Sequence, residues 1–214
     1  IEKELGKPLT EVYASFDITP VASASIAQVH FATMKDGREL AVKVRRPEIE
    51  KILDSDISIM YVIANLIVKY VPDWARFRPV EVVREFHKTI RQELDFTIEA
   101  TRADRFRRNF KDDPEAYFPR VYWEYSSKKV LTMERISGIP IDEAEALKAA
   151  GFDLKEIAER GVRVFFRQAL GDGFFHADMH PGNVFVGSKG EIIHVDFGIV
   201  GQIDDDLRNY LAKL

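Results

Sequence analysis

Hydrophobic and polar residues alternate most regularly between residues 26 and 45. Residues 26–33 alternate with period two, Lys35-Asp36-Gly37-Arg38 has the composition of a turn, and residues 39–45 form a second apolar-rich run. Alternation around a short glycine-containing turn is typical of two antiparallel strands. We therefore predict a β-hairpin over residues 26–45.

Several longer segments have the composition and the end signals of helices. Pro47 suits the first turn of a helix that runs toward Tyr70, where Val71-Pro72-Asp73 ends it. A second long helix is predicted over about Val80–Phe110, which is rich in charged residues and good helix formers. The remaining predicted helices cover Asp142–Ala149, Leu154–Leu170 and a segment at the end of the chain.

Short apolar runs predict further strands at Val121–Tyr125, Val130–Met133, Val184–Val186 and Ile192–Val195. The last two flank a turn at Ser188-Lys189-Gly190. Because strands and helices follow one another with few β-α-β repeats, we predict an α+β protein rather than a doubly wound sheet. The break at residues 137–140 is the candidate boundary between two lobes, residues 1–136 and residues 137–214.

Composition narrows the class of protein. With 46% hydrophobic and 31% charged residues the chain is ordinary for a globular domain, and its net charge of −4 argues against a nucleic-acid partner. Without cysteine it has no disulfide framework and no thiolate metal site. The apolar stretch Ile57–Val68 is shorter than the roughly 20 residues of a membrane-spanning helix, so we predict a buried helix there. The chain begins without methionine or a signal-peptide pattern, and we expect it to be a piece of a longer protein.

The strongest chemical signal is the segment Phe175–Asn183, followed thirteen residues after Asn183 by Asp196-Phe197-Gly198. Phosphoryl transfer requires a carboxylate near the attacking oxygen and oxygen ligands for Mg²⁺ on the phosphates. In an H-x-D-x-x-x-x-N loop, Asp178 would supply that carboxylate, while Asn183 and Asp196 would supply the metal ligands. Both motifs at this spacing therefore predict a phosphoryl-transfer site.

The same loop allows one other interpretation. His176 and His180 flank Asp178 in an H-x-D-x-H pattern that is also found in zinc sites of metallohydrolases. A zinc site would leave Asn183 and the Asp-Phe-Gly triplet without a role, and the sequence has no further histidine cluster. We therefore favour phosphoryl transfer.

Two upstream segments would complete a nucleotide site. Lys43 follows Ala41-Val42 on the predicted return strand, in the form of a lysine that pairs with the α- and β-phosphates. The segment 22–29 has the spacing of a glycine-rich phosphate loop with alanine at each glycine position, and the Cβ of alanine restricts the backbone there. Its predicted nucleotide-binding residues are Ala22, Ser23, Ala24, Ser25, Ile26, Ala27 and Val29.

Together these motifs resemble the UbiB family of atypical kinases, also called the ADCK-type family. The resemblance covers nearly the whole chain and rests on five segments in order: residues 20–30, 42–47, 92–100, 175–183 and 195–198. It implies a protein-kinase-like bilobal fold that binds ATP or ADP with Mg²⁺. It also implies a link to isoprenoid-quinone (ubiquinone-type) biosynthesis or lipid homeostasis, with lipid or quinone-precursor ligands and quinone-biosynthesis proteins as partners.

The resemblance further implies that the full-length protein associates with a membrane: the bacterial inner membrane, the mitochondrial inner membrane or plastid lipid bodies. The alanine-rich loop is the family's replacement for the glycine loop, which implies a shifted nucleotide preference and suppressed protein phosphorylation. The family's K-x-G-Q motif and its C-terminal hydrophobic segments are absent from this sequence. The sequence stops sixteen residues after Gly198, so most of a kinase C-lobe is expected outside it.

Three acidic residues are candidates to pair with Lys43, namely Glu93, Asp95 and Glu99. If residues 93–100 form a regular helix, Asp95 and Glu99 share a face and Glu93 points roughly 120° away from Glu99. The three therefore cannot all reach Lys43. We predict Glu99 as its partner, in the position of the kinase helix glutamate, with Glu93 and Asp95 as the family's E-x-D pair near the phosphates.

The segment Thr132–Ile136 follows a predicted strand and resembles the hinge of kinases. The adenine is predicted to contact the backbone of Glu134 and Ile136. Its apolar walls would come from Val29, Ala41 and Met133.

Three functions are compatible with the sequence. The first is an ATPase or small-molecule kinase of the UbiB type, for which every chemical part is present. The second is a nucleotide-binding scaffold or pseudokinase, which the alanine-rich loop favours. The third is a phosphotransferase for small soluble molecules, similar to aminoglycoside or choline kinases, which the segments 22–29 and 92–100 fit less well.

Overall fold

The computed structural model describes residues 1–204 and residue 206, so the helix predicted at the end of the chain lies outside the described residues. The helices are α1 (Glu2–Leu5), α2 (Leu9–Val12), α3 (Ile49–Tyr70), α4 (Pro79–Glu93), α5 (Phe96–Asn109), α6 (Ala144–Ala149) and α7 (Leu154–Phe166). The strands are β1 (Tyr13–Phe16), β2 (Ala22–Ser23), β3 (Ala27–Met34), β4 (Glu39–Arg45), β5 (Ala116–Tyr117), β6 (Val130–Glu134), β7 (Ile139–Pro140), β8 (Phe174–His176), β9 (Val184–Val186), β10 (Ile192–His194) and β11 (Val200–Gln202). The predicted α+β class is confirmed.

An antiparallel sheet in the order β1-β3-β4-β6, with β2 added to β3, forms the first layer. The predicted hairpin is confirmed, because β3 and β4 pair continuously from Ala27 with Arg45 to Thr33 with Glu39. Along β4, Leu40 and Val42 are completely buried, and the intervening residues face the opposite side. This alternation places Lys43 on the face that looks toward the rest of the protein.

A second sheet in the order β5-β10-β9-β7 and a ribbon of β8 and β11 hold the chemically important loops. Asn183 directly precedes β9, and Asp196 follows β10 closely, on the antiparallel neighbour. The Val195 N–H donates to the Asn183 carbonyl oxygen at 2.9 Å. The pairing of these two strands therefore brings both loops to the same edge of the sheet.

The helix predicted over Val80–Phe110 is two helices, and this prediction was wrong. The chain breaks after α4 at Leu94 and restarts at α5, where the Asp95 carboxylate accepts from the Thr97 N–H at 3.0 Å and caps the new helix. Asp95 has an extended backbone (φ −104°, ψ 95°), so it lies outside both helices. The side chain of an aspartate at this position satisfies an otherwise unpaired helix N–H, which favours the break.

The strand predicted at Val121–Tyr125 is also wrong. Only Val121 forms a bridge, with Met133, and Trp123–Tyr125 is a short 3₁₀ turn. Side chains stabilise this turn, because the Thr132 hydroxyl donates to the Tyr125 carbonyl at 2.7 Å. The predicted Leu154–Leu170 helix ends as α-helix at Phe166 and continues as a π-helical turn over Arg167–Gly171.

The apolar stretch Ile57–Val68 is helical, as predicted, but only partly buried. Ile57 and Ala64 are buried, whereas five of its large apolar residues are between 44% and 59% exposed, namely Ile59, Val62, Ile63, Leu66 and Val68. No helix among the described residues has the length and apolar character needed to cross a membrane.

The lobe boundary predicted after Ile136 falls where the chain leaves the first sheet at β6 and enters the second at β7. The division is not strict, because β5 comes from residues before the boundary and pairs with β10 of the second sheet. One hydrophobic core also runs through both regions, with Phe106 of α5 stacked on Phe118 and in contact with the Phe174 and Phe197 rings. The assignment of residues 1–136 and 137–214 to two lobes stays a prediction.

Gly138, at this crossing, has a packing requirement that gives a testable prediction. A Cβ added there would lie 2.9 Å from the Val186 carbonyl oxygen and 3.1 Å from the Phe185 Cβ. Gly138→Ala is therefore expected to lower the free energy of unfolding by about 1–3 kcal/mol, measured by urea denaturation. In the control Gly161→Ala, on α7, the added Cβ meets nothing within 4 Å, and stability should rise by about 0.5–1 kcal/mol. Equal stability of the two variants would contradict the contact.

Candidate functional site

A cavity of about 580 Å³ opens between the two sheets and contains most of the predicted site. The predicted residues that line it are Ala22, Ser23, Ala24, Ala27, Val29, Ala41, Lys43, Glu99, Met133, Glu134, Ile136, Asn183 and Asp196. The predicted residues outside its lining are Ser25, Ile26, Glu93, Asp95 and Asp178. The volume is in the range of small-ligand sites.

Lys43 lies at the centre of the charged end of the cavity. Its ammonium group donates to both carboxylate oxygens of Glu99, at 2.8 and 3.0 Å, and to Asp196 Oδ2 at 3.2 Å. Glu99 is on α5 and only 5% exposed, whereas the side chain of Asp196 is 46% exposed. Lys43 is thus held between a buried carboxylate on the helix and an accessible one on a loop.

Electrostatics keep this group charged. Burial alone would lower the pKa of Lys43, but the two carboxylates outweigh it and raise that pKa above its ordinary value. Burial would likewise raise the pKa of Asp196, yet Lys43 and the Gly198 N–H lower it. At neutral pH the site therefore presents an ammonium group and an exposed carboxylate side by side.

The other two candidate acids lie elsewhere. The Asp95 carboxylate caps α5 through Thr97 and lies 3.8 Å from the Lys128 ammonium group. Glu93 ends α4, and its pKa is raised, by burial first and then by the negative charge of Asp196. Glu93 is therefore close enough to Asp196 for the two carboxylates to repel each other. Asp95 instead stabilises the start of α5. Residues 93–100 do not form one regular helix, because α4 ends at Glu93 and α5 begins at Phe96. The orientations expected for a single helix therefore do not apply to Glu93 and Asp95.

The loop after β8 joins Asp178 and Asn183. The Asn183 amide nitrogen donates to Asp178 Oδ2 at 3.0 Å, so the amide oxygen is the atom that can face a metal. His176 is completely buried and receives the Asp178 N–H on Nδ1 at 3.3 Å, while its Nε2 donates to the Asp196 carbonyl at 2.6 Å. One neutral imidazole therefore links the backbones of both loops.

The zinc interpretation does not fit this geometry. Both ring nitrogens of His176 are engaged with backbone groups, and His180 Nδ1 accepts from the Gly182 N–H at 3.1 Å. The described part of the chain contains no cluster of three or more His, Cys, Asp or Glu side chains arranged to hold a metal ion. Asn183 and Asp196 instead carry side-chain oxygen atoms, the kind of ligand that Mg²⁺ prefers.

Asp196 has a left-handed backbone with φ +61°, which is uncommon for a residue other than glycine. Three contacts hold the turn. The Asp196 Oδ1 accepts from the Gly198 N–H at 3.1 Å, the Phe197 N–H donates to Glu99 at 3.4 Å, and Arg102 donates to the Gly198 carbonyl. Backbone strain maintained by its surroundings is a common feature of functional sites.

The alanine-rich segment forms a tight hairpin over residues 21–29, here called the alanine hairpin. Ala22 pairs with Val29, and the Ala24 N–H donates to the Ala27 carbonyl at 2.9 Å. Its alanines are not among the described non-glycine residues with positive φ. The hairpin thus forms without the conformations that require glycine.

At the opposite end of the cavity, Met133 pairs with Ala41 and closes an apolar wall. The Glu134 N–H donates to the Arg120 carbonyl, and its carboxylate accepts from the Tyr117 hydroxyl at 2.7 Å. The Ile136 N–H has no acceptor within residues 1–204, and its residue lines the cavity. A planar ligand could therefore receive this hydrogen bond.

Sequence reasoning missed several lining residues, namely Phe31, Pro119, Arg135, Ser137, Gly138, Gly182, Phe185 and Val195. A signal existed for Phe185, because strand alternation places it opposite Val184 and Val186, which are buried. The sequence carries no such signal for Pro119, because only the tertiary fold brings this residue to the cavity.

His194, beneath the site, gives a second prediction. It is completely buried between the Phe118 and His176 rings, and its ring nitrogens are without partners among the described residues. Burial is the main cause that lowers its pKa, to about 3. Below pH 6.5 the unfolded chain therefore binds a proton that the native state excludes, and stability falls as pH decreases, by up to about 1.4 kcal/mol per unit.

His194→Phe removes this titration and is expected to retain about 2 kcal/mol more stability than the parent on going from pH 7 to pH 5. The measurement is urea denaturation at both pH values. The control His87→Phe, at a partly exposed position on α4, tests whether loss of any histidine has the same effect. The same pH dependence in parent and His194→Phe would show that His194 is not buried in its neutral form.

The Lys43–Glu99 pair and the Asp196 turn lie between an antiparallel sheet and a mainly helical region. This arrangement defines a kinase-like protein. Consistent with this, the structure superimposes on a solved structure described as the complex of Rv3197 with erythromycin from Mycobacterium tuberculosis. The TM-score is 0.73 at 31% identity, covering 94% of this chain and 50% of that one.

The chain belongs to the family of the ABC1 atypical kinase-like domain, whose family model matches residues 1–214. It is 48% identical over 217 residues to the probable protein kinase UbiB of Marinobacter nauticus, covering 100% of this chain and 40% of that protein. The corresponding protein of Pseudomonas aeruginosa is 47% identical, with 100% and 41% covered. The resemblance to the UbiB family is confirmed, and the chain spans about two fifths of the length of these relatives.

Proposed function

We propose that this chain carries the ATP- and Mg²⁺-binding site of an atypical kinase or ATPase that supports isoprenoid-quinone biosynthesis or lipid homeostasis. The observation that carries the proposal is the position of the Lys43 ammonium group, 2.8 Å from Glu99 and 3.2 Å from Asp196 in an open cavity. The Lys43 ammonium group and the adjacent accessible carboxylate of Asp196 match a metal-bound phosphate chain. The quinone or lipid link rests on the family alone.

The two ends of the cavity would bind different parts of the nucleotide. At the apolar end, Val29, Ala41 and Met133 would enclose the adenine, and the Ile136 N–H would bind it. At the polar end, Lys43 would orient the α- and β-phosphates, with Glu99 fixing its position. Asn183 and Asp196 would hold Mg²⁺, which neutralises charge on the phosphates when bound.

Asp178 would act at the mouth of the site. It lies outside the cavity lining, hydrogen-bonded to Asn183, where an acceptor hydroxyl or water would approach the terminal phosphate. A carboxylate at that position can orient the attacking oxygen and accept its proton. Glu93, which senses the charge of Asp196, is a further candidate to face the metal-bound phosphates.

The test is the release or transfer of the terminal phosphate of ATP by the full-length protein, with and without vesicles containing a quinone-precursor mimic. We expect Mg²⁺-dependent turnover that falls about 100-fold or more in Asp178→Asn, while ATP binding stays within about threefold of the parent. The control Asp104→Asn alters a partly exposed aspartate on α5 and should change neither quantity.

Two other results would replace the proposal. Binding without turnover under every condition would identify a nucleotide-binding scaffold. Transfer to soluble alcohols in preference to membrane-bound acceptors would identify a small-molecule phosphotransferase.

Association of the full-length protein with a membrane, proposed from the family, would be measured in the same experiment by vesicle sedimentation.

A further inference from the structure

Arg46, directly after β4, contacts three consecutive parts of the alanine hairpin. Its Nε donates to the Ala24 carbonyl at 3.0 Å, and its Nη2 donates to the Ser23 hydroxyl at 2.9 Å. Its backbone N–H donates to the Ile26 carbonyl at 2.9 Å. One residue outside the hairpin therefore binds three of its oxygen atoms.

Among the described residues, several carbonyl groups of the hairpin accept hydrogen bonds, whereas two N–H groups at its tip donate none. The carbonyls of Ala24 and Ile26 are bound by Arg46, and that of Ala27 is bound by the Ala24 N–H. Within the described part of the chain, the N–H groups of Ser25 and Ile26 at the tip have no acceptor. Two neighbouring backbone N–H groups without an acceptor can bind an anion.

The guanidinium group is suited to this task for a geometric reason. Its planar fork reaches the Ala24 carbonyl and the Ser23 hydroxyl at the same time, which the single ammonium group of lysine cannot reproduce. The neighbouring Arg45 points elsewhere, donating to the Leu94 carbonyl at 2.8 Å and pairing with Glu50. The contacts to the hairpin are therefore specific to the second of the two arginines.

We propose that Arg46 is a positioning residue that clamps the alanine hairpin in the conformation in which Ala22, Ser23 and Ala24 line the cavity. The clamp would replace the backbone freedom that glycine gives to phosphate loops with a fixed, pre-organised conformation. This inference rests on the proposed function for the identity of the anion, which is the phosphate chain of a nucleotide.

The conformational half of the proposal is tested on the nucleotide-free, full-length protein by hydrogen–deuterium exchange. Arg46→Ala is expected to speed exchange of the hairpin amides of Val21 and Ala24 about tenfold and to leave the core strands unchanged. The control Arg84→Ala removes an exposed arginine from α4 and should leave the hairpin as in the parent. Unchanged exchange of the hairpin in Arg46→Ala would overturn the clamp.

The binding half is tested by titration with Mg-ATP. Arg46→Ala and Arg46→Lys are both expected to weaken binding about tenfold, and Ser23→Ala about threefold, because lysine keeps the charge but not the fork. Parent-like affinity of Arg46→Lys would overturn the proposal, since charge alone would then suffice. Absence of Mg-ATP binding by the parent would instead overturn the proposed function, and the exchange experiment would still decide whether Arg46 clamps the hairpin.

Discussion

Replacing Asp196 by asparagine is expected to lower Mg²⁺-dependent turnover of ATP by about 100- to 1000-fold. Asparagine keeps the size of the side chain and the acceptor for the Gly198 N–H, but it removes the negative charge that faces the cavity. The Lys43–Glu99 pair remains, so the fold should be retained. Turnover and Mg-ATP affinity are measured on the full-length protein, with circular dichroism to verify folding.

The same charge predicts a pH dependence. The pKa of Asp196 lies below its ordinary value, so the carboxylate is present at neutral pH and is lost only in acid. Mg-ATP affinity should therefore be constant from pH 6 to 8 in both proteins and differ between them by about tenfold or more. If Asp196→Asn binds Mg-ATP as tightly as the parent, Asp196 is not a metal ligand.

The second large effect is expected for Lys43→Met. The variant leaves Glu99 buried without its cation, and breaking a buried ion pair lowers the free energy of unfolding by about 3 kcal/mol. Turnover should fall by about 100-fold or more, because Lys43 would no longer orient the phosphates. Urea denaturation at pH 8 and ATP turnover are the two measurements.

The loss of stability in Lys43→Met should depend on pH with a defined sign. Without the cation, burial keeps the pKa of Glu99 above its unfolded value, so the native state binds the extra proton and gains stability as pH falls. The defect should therefore be smaller at pH 5 than at pH 8. Adding Glu99→Gln to Lys43→Met should recover stability at pH 8 but not turnover. A double variant no more stable than the single one would contradict the buried-pair account.

Regular patterns of neighbouring residues correctly predicted one hairpin and two site loops. The β3–β4 hairpin follows from period-two alternation around Gly37, and the loops bearing Asn183 and Asp196 follow from two spaced motifs. The break before α5 was missed, because charged helix formers continue on both sides of it. Its signal was a single capping aspartate, Asp95, which also occurs in helix interiors.

The least predictable features arise from tertiary contacts. Glu93, Asp95 and Glu99 were equivalent by composition, and the choice of Glu99 depended on the resemblance to kinases. Only the tertiary fold, in which α5 packs against β6 and β6 pairs with β4, places the Glu99 carboxylate within 2.8 Å of Lys43. The contacts of Arg46 with the alanine hairpin are likewise invisible in sequence, because β3 and β4 must pair before they can form.

The most direct test of the proposed nucleotide site is calorimetric titration of the full-length protein with ATP in the presence and absence of Mg²⁺. We expect one saturable site per chain, with binding at least about tenfold weaker when Mg²⁺ is chelated and weakened further in Lys43→Met. Absence of saturable binding, or binding that neither Mg²⁺ nor Lys43 affects, would contradict the assignment of this cavity as a nucleotide site.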